Sequence, residues 1–196
     1  LCINGSGILY QWLRKILSTG KDELLSYDFL NAQAAQAGPG SAGLNFYPFG
    51  NGVERIFNNK KSFSGLQNLD FNRHGATHMV RAACEGIVYA MNYGFEVMQH
   101  IGAGGHSVKA TKANLFLSPV FREIFVNTTQ TTLALYKTNG AEGAARGAAH
   151  GYGFYTSLDE SAHGLVLLST QEPQPELKQQ YTDLYQTWKN NIQIIE

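Results

Sequence analysis

Apolar positions recur at helical spacing in several stretches of this chain. Met79, Val80, Ala83, Cys84, Ile87, Val88, Met91 and Met98 fall on one stripe and predict a long helix from Gly75 to Gln99. Ile8, Leu9, Trp12, Leu13, Ile16 and Leu17 predict an earlier helix, with Ser6 as its cap and Gly20 as its end. A second helix is read from Tyr27 to Ala37, stopped by Gly38-Pro39-Gly40-Ser41. Leu177, Tyr181, Leu184, Tyr185 and Trp188 mark an amphipathic helix over residues 176–193, docked by its aromatic face. Strands are read at Leu44 to Phe49, near Phe63 to Leu66, at Ser107 to Ala110 and at Thr131 to Tyr136, with a strand tail at Leu1 to Ile3. Tyr155 to Ser169 reads as helical or mixed, and Glu172 to Pro175 as a linker. Strands alternating with helices predict an α/β layered domain.

Two turns stand out. In Val108 to Phe121 a β-type run feeds a polar turn, Ala110-Thr111-Lys112-Ala113-Asn114, and then a helix opening at Ser118-Pro119. A Ser before a Pro is a helix-start signature: the hydroxyl accepts from a free N–H, and Pro at the first position sacrifices no bond. Unpaired N–H groups and a positive helix end favour anions. The second turn, Lys137 to Asn139-Gly140, opens a helix of small residues, Ala141 to Gly151. Helical glycines cost about 1 kcal/mol each relative to alanine, so several in one helix predict close approach to a sheet, a helix or a ligand. Residues alone therefore allow a nucleotide or phosphate grip at Ala110 to Ser118 and Thr138 to Ala141.

Other motifs are weaker. Gly50-Asn51-Gly52 permits close backbone approach to a ligand, although an ordinary loop is the favoured reading of these residues. Gly102-Ala103-Gly104-Gly105 resembles a phosphate loop, but it follows a helix and precedes a strand, so a helix C-cap and tight connection explain it better. His74 and His78 have the spacing of a helical metal pair without a completing ligand, and a solvated helix start is favoured.

Composition narrows the class. The 196 residues suffice for one ordinary domain with a real core. Charged residues are 15%, hydrophobic ones 43%, and the formal net charge is zero, which argues against nucleic acid or an acidic membrane as a bulk-charge partner. No apolar run has the length of a membrane span. Cys2 and Cys84 are too few for a disulfide framework, and two free thiols in a cytoplasmic protein are expected. The chain opens on Leu1-Cys2 and so reads as starting mid-protein. No catalytic base or triad is visible.

Three ordered segments carry a resemblance. They are Phe46 to Arg55 with a Gly-Val-Glu-Arg core, Arg81-Ala82-Ala83-Cys84-Glu85-Gly86, and Gly140 to Ala149. Together they resemble the C-terminal domain of the FGGY-family carbohydrate kinases, xylulokinases among them, over nearly the whole chain. The turn at Ala110 to Asn114 carries Thr111 where many members have glycine. The resemblance implies the second lobe of a two-lobe, actin-like, ribonuclease-H-like kinase, with the first strands of the lobe missing. It implies transfer of the ATP γ-phosphate, with Mg²⁺, to a sugar hydroxyl, which for a xylulokinase turns D-xylulose into D-xylulose 5-phosphate. It assigns the aspartate base and most of the sugar site to an N-terminal domain outside this chain. No catalytic residue and no protein metal ligand is expected here. ATP contacts are expected at Gly50, Asn51, Gly52, Ala110, Thr111, Lys112, Ala113, Asn114, Asn139 and Gly140. Lys112 also reads as a solvated surface lysine, and Glu54 with Arg55 as a structural ion pair. The isolated piece is expected to be inactive and, with apolar cleft surface bared, to self-associate. The rivals are a non-catalytic module of the actin-like superfamily and a kinase for another sugar or polyol.

Overall fold

The computed structural model describes residues 3–102 and 104–195. The strand tail read at Leu1 to Ile3 and the Cys2 thiol fall outside these residues, apart from Ile3, which is irregular. The helices are α1 (Ser6–Leu17), α2 (Tyr27–Ala37), α3 (Ala76–His100), α4 (Pro119–Thr129), α5 (Gly140–Gly151), α6 (Leu158–Ser161) and α7 (Lys178–Asn190). The strands are β1 (Asn45–Tyr47), β2 (Lys61–Ser62), β3 (Gly65–Gln67), β4 (Ser107–Thr111), β5 (Thr132–Lys137), β6 (Val166–Gln171) and β7 (Ile194–Ile195). β4 runs parallel to β5, and β6 joins β5 antiparallel at the edge. β1 pairs with β3 and β2 with β7, both antiparallel. Among the described residues no helix is long and apolar enough to cross a membrane.

α3 is the axis of the molecule. Every residue from Val80 to Ala90 is buried, because helices and β1 surround it. Val80, Cys84, Ile87 and Val88 pack with Leu30 of α2, with Phe121 and Ile124 of α4, and with Leu133 of β5. Tyr89 and Ala90 meet an aromatic group from β1 and α7 that includes Tyr47 and Trp188. Ala82 and Ala83 meet Leu13, Leu44 and Phe46. Trp188 stacks on Tyr47 at 5.2 Å between ring centres, and its indole N–H donates to the Phe46 carbonyl at 3.0 Å.

The Arg-Ala-Ala-Cys-Glu-Gly segment explains itself here. Arg81 and Glu85 form an ion pair at 2.8 Å, both almost fully buried. Arg81 also donates to the Tyr181 hydroxyl at 2.7 Å, and Glu85 accepts from the Gly40 N–H and the Ser41 hydroxyl. Those contacts clamp a run of left-handed residues, Gly40, Ser41, Ala42 and Gly43. Burial works against the Arg81 charge, but Glu85 leads the neighbours that outweigh it and hold the guanidinium more firmly protonated. A Cβ at Gly86 would stand 2.0 Å from the Phe46 carbonyl oxygen, so only glycine lets α3 lie this close to β1.

Several expectations change. α1 is capped by Gly5, with no side-chain cap, and Ser6 is its first residue. The 155–169 stretch resolves into α6, a turn through left-handed Gly164, and the start of β6. α5 has no buried residue, and a Cβ at Gly140, Gly143, Gly147 or Gly151 would meet nothing within 4 Å. Its glycines are therefore not explained by packing within this chain.

Candidate functional site

Parallel pairing brings the two turns together. Thr111, the last residue of β4, is in register with Tyr136 of β5, so both chains leave the sheet at the same end. The Thr111 hydroxyl donates to the Thr138 carbonyl and stitches one turn to the other. The Lys112 N–H donates to the Tyr136 carbonyl at 3.3 Å. Asn114 is left-handed, with φ of 52°, and starts a short 3-10 turn to Leu117. Asn tolerates that conformation better than most residues. Ser118 then caps α4 by accepting from the Phe121 N–H, with Pro119 first in the helix, as its dipeptide predicts.

The second turn is braced from behind. Asn139 caps α5 by accepting from the Glu142 N–H at 2.9 Å. The Glu142 carboxylate accepts from the Thr138 hydroxyl and from Arg146, whose other nitrogen donates to the Ser161 and His163 carbonyls. The Thr138 hydroxyl, then Arg146, hold the Glu142 carboxyl below its ordinary value. A carboxylate in this first turn answers the positive end of α5. Gly140 is left as an open backbone surface, with no atom within 4 Å of where a side chain would begin.

Two cavities open beside the first turn. One of about 630 Å³ is lined by Ala110, Thr111, Ala113 and Asn114, with Ser6 and Gly7 of α1 opposite and apolar Ile87 and Phe116 below. The other, about 350 Å³, lies against Tyr10, Tyr27, Asp28, Asn31, Asn114 and Ser118. Gly7 and Asn114 line both. Gly7 and the α2 residues are absent from the sequence expectation. The pair of glycines around Ser6 was the available signal for the first; nothing local points to the second.

The remaining expected residues fall elsewhere. Gly50 and Asn51 line a separate cavity of about 260 Å³ with Gly5 and Trp12. Asn51 donates to the Asn4 carbonyl, and a Cβ at Gly50 would press on the Ser64 hydroxyl at 2.8 Å. Gly52 takes a left-handed φ of 95°. Packing thus accounts for the glycine at 50, and backbone conformation for the glycine at 52. Lys112 is exposed, without an ion pair among the described residues. Glu54 is buried and accepts from the Asn4 N–H, and burial pushes its carboxyl up. Arg55 is exposed and unpaired with it, so the expected Glu54–Arg55 ion pair does not form.

The glycines after α3 serve as a helix end. The Gly102 N–H donates to the Gln99 carbonyl, while Gly104 and Gly105 lie at the start of β4, one strand length from the turns; Ala103 lies outside the described residues. His78 accepts from the Gly75 N–H and His74 from the Asp70 N–H, as helix-start contacts. Among the described residues no three His, Cys, Asp or Glu side chains are grouped to hold a metal ion.

No protein-family model matches the chain. Solved structures do. The xylulose kinase of Rhodospirillum rubrum superposes with a TM-score of 0.75 and 25% identity, over 94% of this chain and 37% of that one. The fold is that of the FGGY carbohydrate kinases. The gluconate kinase of Lactobacillus acidophilus matches 95% of this chain with a TM-score of 0.76 at 23% identity, which speaks for the actin-like fold alone. In sequence, the gluconokinase of Bacillus subtilis (strain 168) is 33% identical over 96 residues, 44% of this chain and 18% of that protein. The chain thus spans 37% of the solved kinase and 18% of the curated relative. Within this FGGY fold, the Ala110 to Asn114 turn and the start of α1 line one cavity, and the Thr111 hydroxyl ties the second turn to the first.

Proposed function

We propose that this chain is the nucleotide-holding lobe of an ATP-dependent carbohydrate kinase. The observation that carries this reading is the pair of turns at the ends of parallel β4 and β5, joined by the Thr111 hydroxyl, the first of which lines a cavity together with Gly7. The half-buried turn at Ala110 to Asn114 and the open Gly140 surface suit a ligand that needs close main-chain approach. The braced Thr138–Glu142–Arg146 chain keeps that surface fixed. Phosphoryl transfer depends on positioning and on neutralising charge, so a rigid surface beside the phosphates is what such a lobe contributes. Mg²⁺ enters as the companion of the phosphates, since the described donor set offers it no cage of its own.

The sugar site and the catalytic base belong, in this reading, to the other lobe of the enzyme. D-Xylulose, converted to D-xylulose 5-phosphate, is the acceptor favoured by the sequence resemblance. The 33% identity to a gluconokinase supports D-gluconate as the competing acceptor. ADP release by the intact protein with ATP, Mg²⁺ and each sugar tests both. The expected result is sugar-dependent turnover, with Asn114→Ala and Gly140→Val raising KM for ATP. No turnover and no binding of an ATP analogue would overturn the reading. Sugar-dependent ADP release by the 196-residue chain alone would overturn the assignment of the base to another lobe.

A further inference from the structure

We propose that Asn51-Gly52 is a self-modifying site of the folded protein, where conversion of Asn51 to aspartate or isoaspartate unfastens the chain that enters α1. Asn-Gly pairs are prone to this reaction because glycine has no Cβ to keep its backbone nitrogen away from the asparagine side chain. The chain has three such pairs, Asn4-Gly5, Asn51-Gly52 and Asn139-Gly140. Sequence alone gives them equal standing, and the fold separates them.

Ring closure requires the asparagine side chain and the next backbone nitrogen to swing together. At Asn139 both are committed: the side-chain oxygen accepts from the Glu142 N–H at 2.9 Å, and Gly140 is already the first residue of α5. Asn4 is held as firmly. Its amide donates to the Val53 carbonyl at 2.7 Å, and its N–H donates to the Glu54 carboxylate. Gly5 beside it is buried against the Pro48 carbonyl. At Asn51 the restraint is least. Asn51 and Gly52 are both exposed and lie outside every helix and strand. A Cβ at Gly52 would meet nothing within 4 Å. The Asn51 side chain is tethered by its amide, which donates to the Asn4 carbonyl at 2.9 Å across the protein surface.

The chemistry needs only water. The Gly52 nitrogen gives its proton to hydroxide and bonds to Asn51 Cγ. The Cγ–Nδ2 bond breaks, and the nitrogen takes a proton from water and leaves as ammonia. A water molecule then opens the cyclic imide at either carbonyl, giving aspartate or isoaspartate. The net change is one water consumed and one ammonia released. An ionised aspartate only accepts hydrogen bonds. It therefore loses the bond to the Asn4 carbonyl and turns negative charge toward that oxygen. Isoaspartate also lengthens the loop backbone by one carbon. Asn4-Gly5 leads directly into α1, whose Gly7 lines both cavities beside the first turn.

The test incubates the intact protein at mildly alkaline pH, folded and in urea, and maps peptides by mass and by isoaspartyl-specific methylation. The expected result is conversion at Asn51 ahead of Asn4 and Asn139 in the folded protein, and conversion at all three pairs in urea. Asn51→Gln should remove the native signal. Asn51→Asp, standing in for the product, should lower the urea midpoint and speed amide hydrogen exchange at the start of α1. Native conversion of Asn4 or Asn139 as fast as Asn51 overturns the assignment, and so does an Asn51 that stays intact in the folded protein. An Asn51→Asp protein with the parent's urea midpoint and α1 exchange overturns the unfastening.

Discussion

Two glycine-to-alanine substitutions, each in a helix, should act with opposite sign. At Gly86 the new methyl would stand 2.0 Å from the Phe46 carbonyl oxygen and 3.0 Å from its carbon, more than an ångström inside ordinary contact. Both atoms are backbone, so α3 and β1 must separate. Overpacking of this kind costs about 1–3 kcal/mol. The same carbonyl accepts from the Trp188 indole at 3.0 Å, and weakening that bond adds about 1 kcal/mol. Alanine recovers about 1 kcal/mol through helix propensity. The net expectation is a loss of about 2 kcal/mol, or a fall in Tm of about 4–8 °C for a chain of this size. At Gly143 of α5 nothing lies within 4 Å of the added methyl. Only the propensity gain remains there, about 0.5–1 kcal/mol of stabilisation. Thermal and urea unfolding of both variants and the parent, followed by near-ultraviolet circular dichroism, measures the contrast. If Gly86→Ala is as stable as the parent, the close approach of α3 to β1 is refuted.

Glu85→Ala should destabilise the fold by about 3–5 kcal/mol, because it strands the buried Arg81 charge and releases the Gly40 N–H and Ser41 hydroxyl; a urea midpoint unchanged from the parent would refute it. Cys84 is almost fully buried, and burial pushes its thiol up to about 12. Iodoacetamide at pH 8 should therefore leave it unlabelled in the native protein and label it on unfolding, as followed by peptide mass mapping; native labelling at the rate of a free thiol would refute the burial.

Much of this fold was legible because its signals are local. α2 runs from Tyr27 to Ala37 as read, since Ser26 caps it and the Gly38-Pro39 break stops it. Ser118-Pro119 opens α4, and the β4 and β5 segments are where β-branched and apolar runs put them. Each turn of the candidate site could likewise be read alone, and parallel pairing with the Thr111–Thr138 hydrogen bond then ties the one to the other. What local reading cannot supply is distance. Gly50 to Gly52 has the composition of a ligand loop, yet Asn51 is spent on the Asn4 carbonyl. Glycines in α5 and Gly86 in α3 look alike in sequence, but only the second has a neighbour in this chain. Gly7, Asp28 and Asn31 reach the cleft through tertiary packing, which no spacing rule announces. β6 was missed because Val166-Leu167-Leu168 is equally compatible with a helix and has no turn signal inside it.

The Trp188 contact also imposes an order on synthesis. Its hydrogen-bond partner lies 142 positions earlier in the chain. A ribosome adding about 5–20 residues per second needs roughly 7–28 s to cover that span. Through that interval β1 is already made, while Tyr47 lacks its stacking partner and the Phe46 carbonyl lacks its indole donor. The aromatic centre of the molecule is therefore closed late in translation, and a nascent chain halted before α7 presents that centre to chaperones as an unsealed surface.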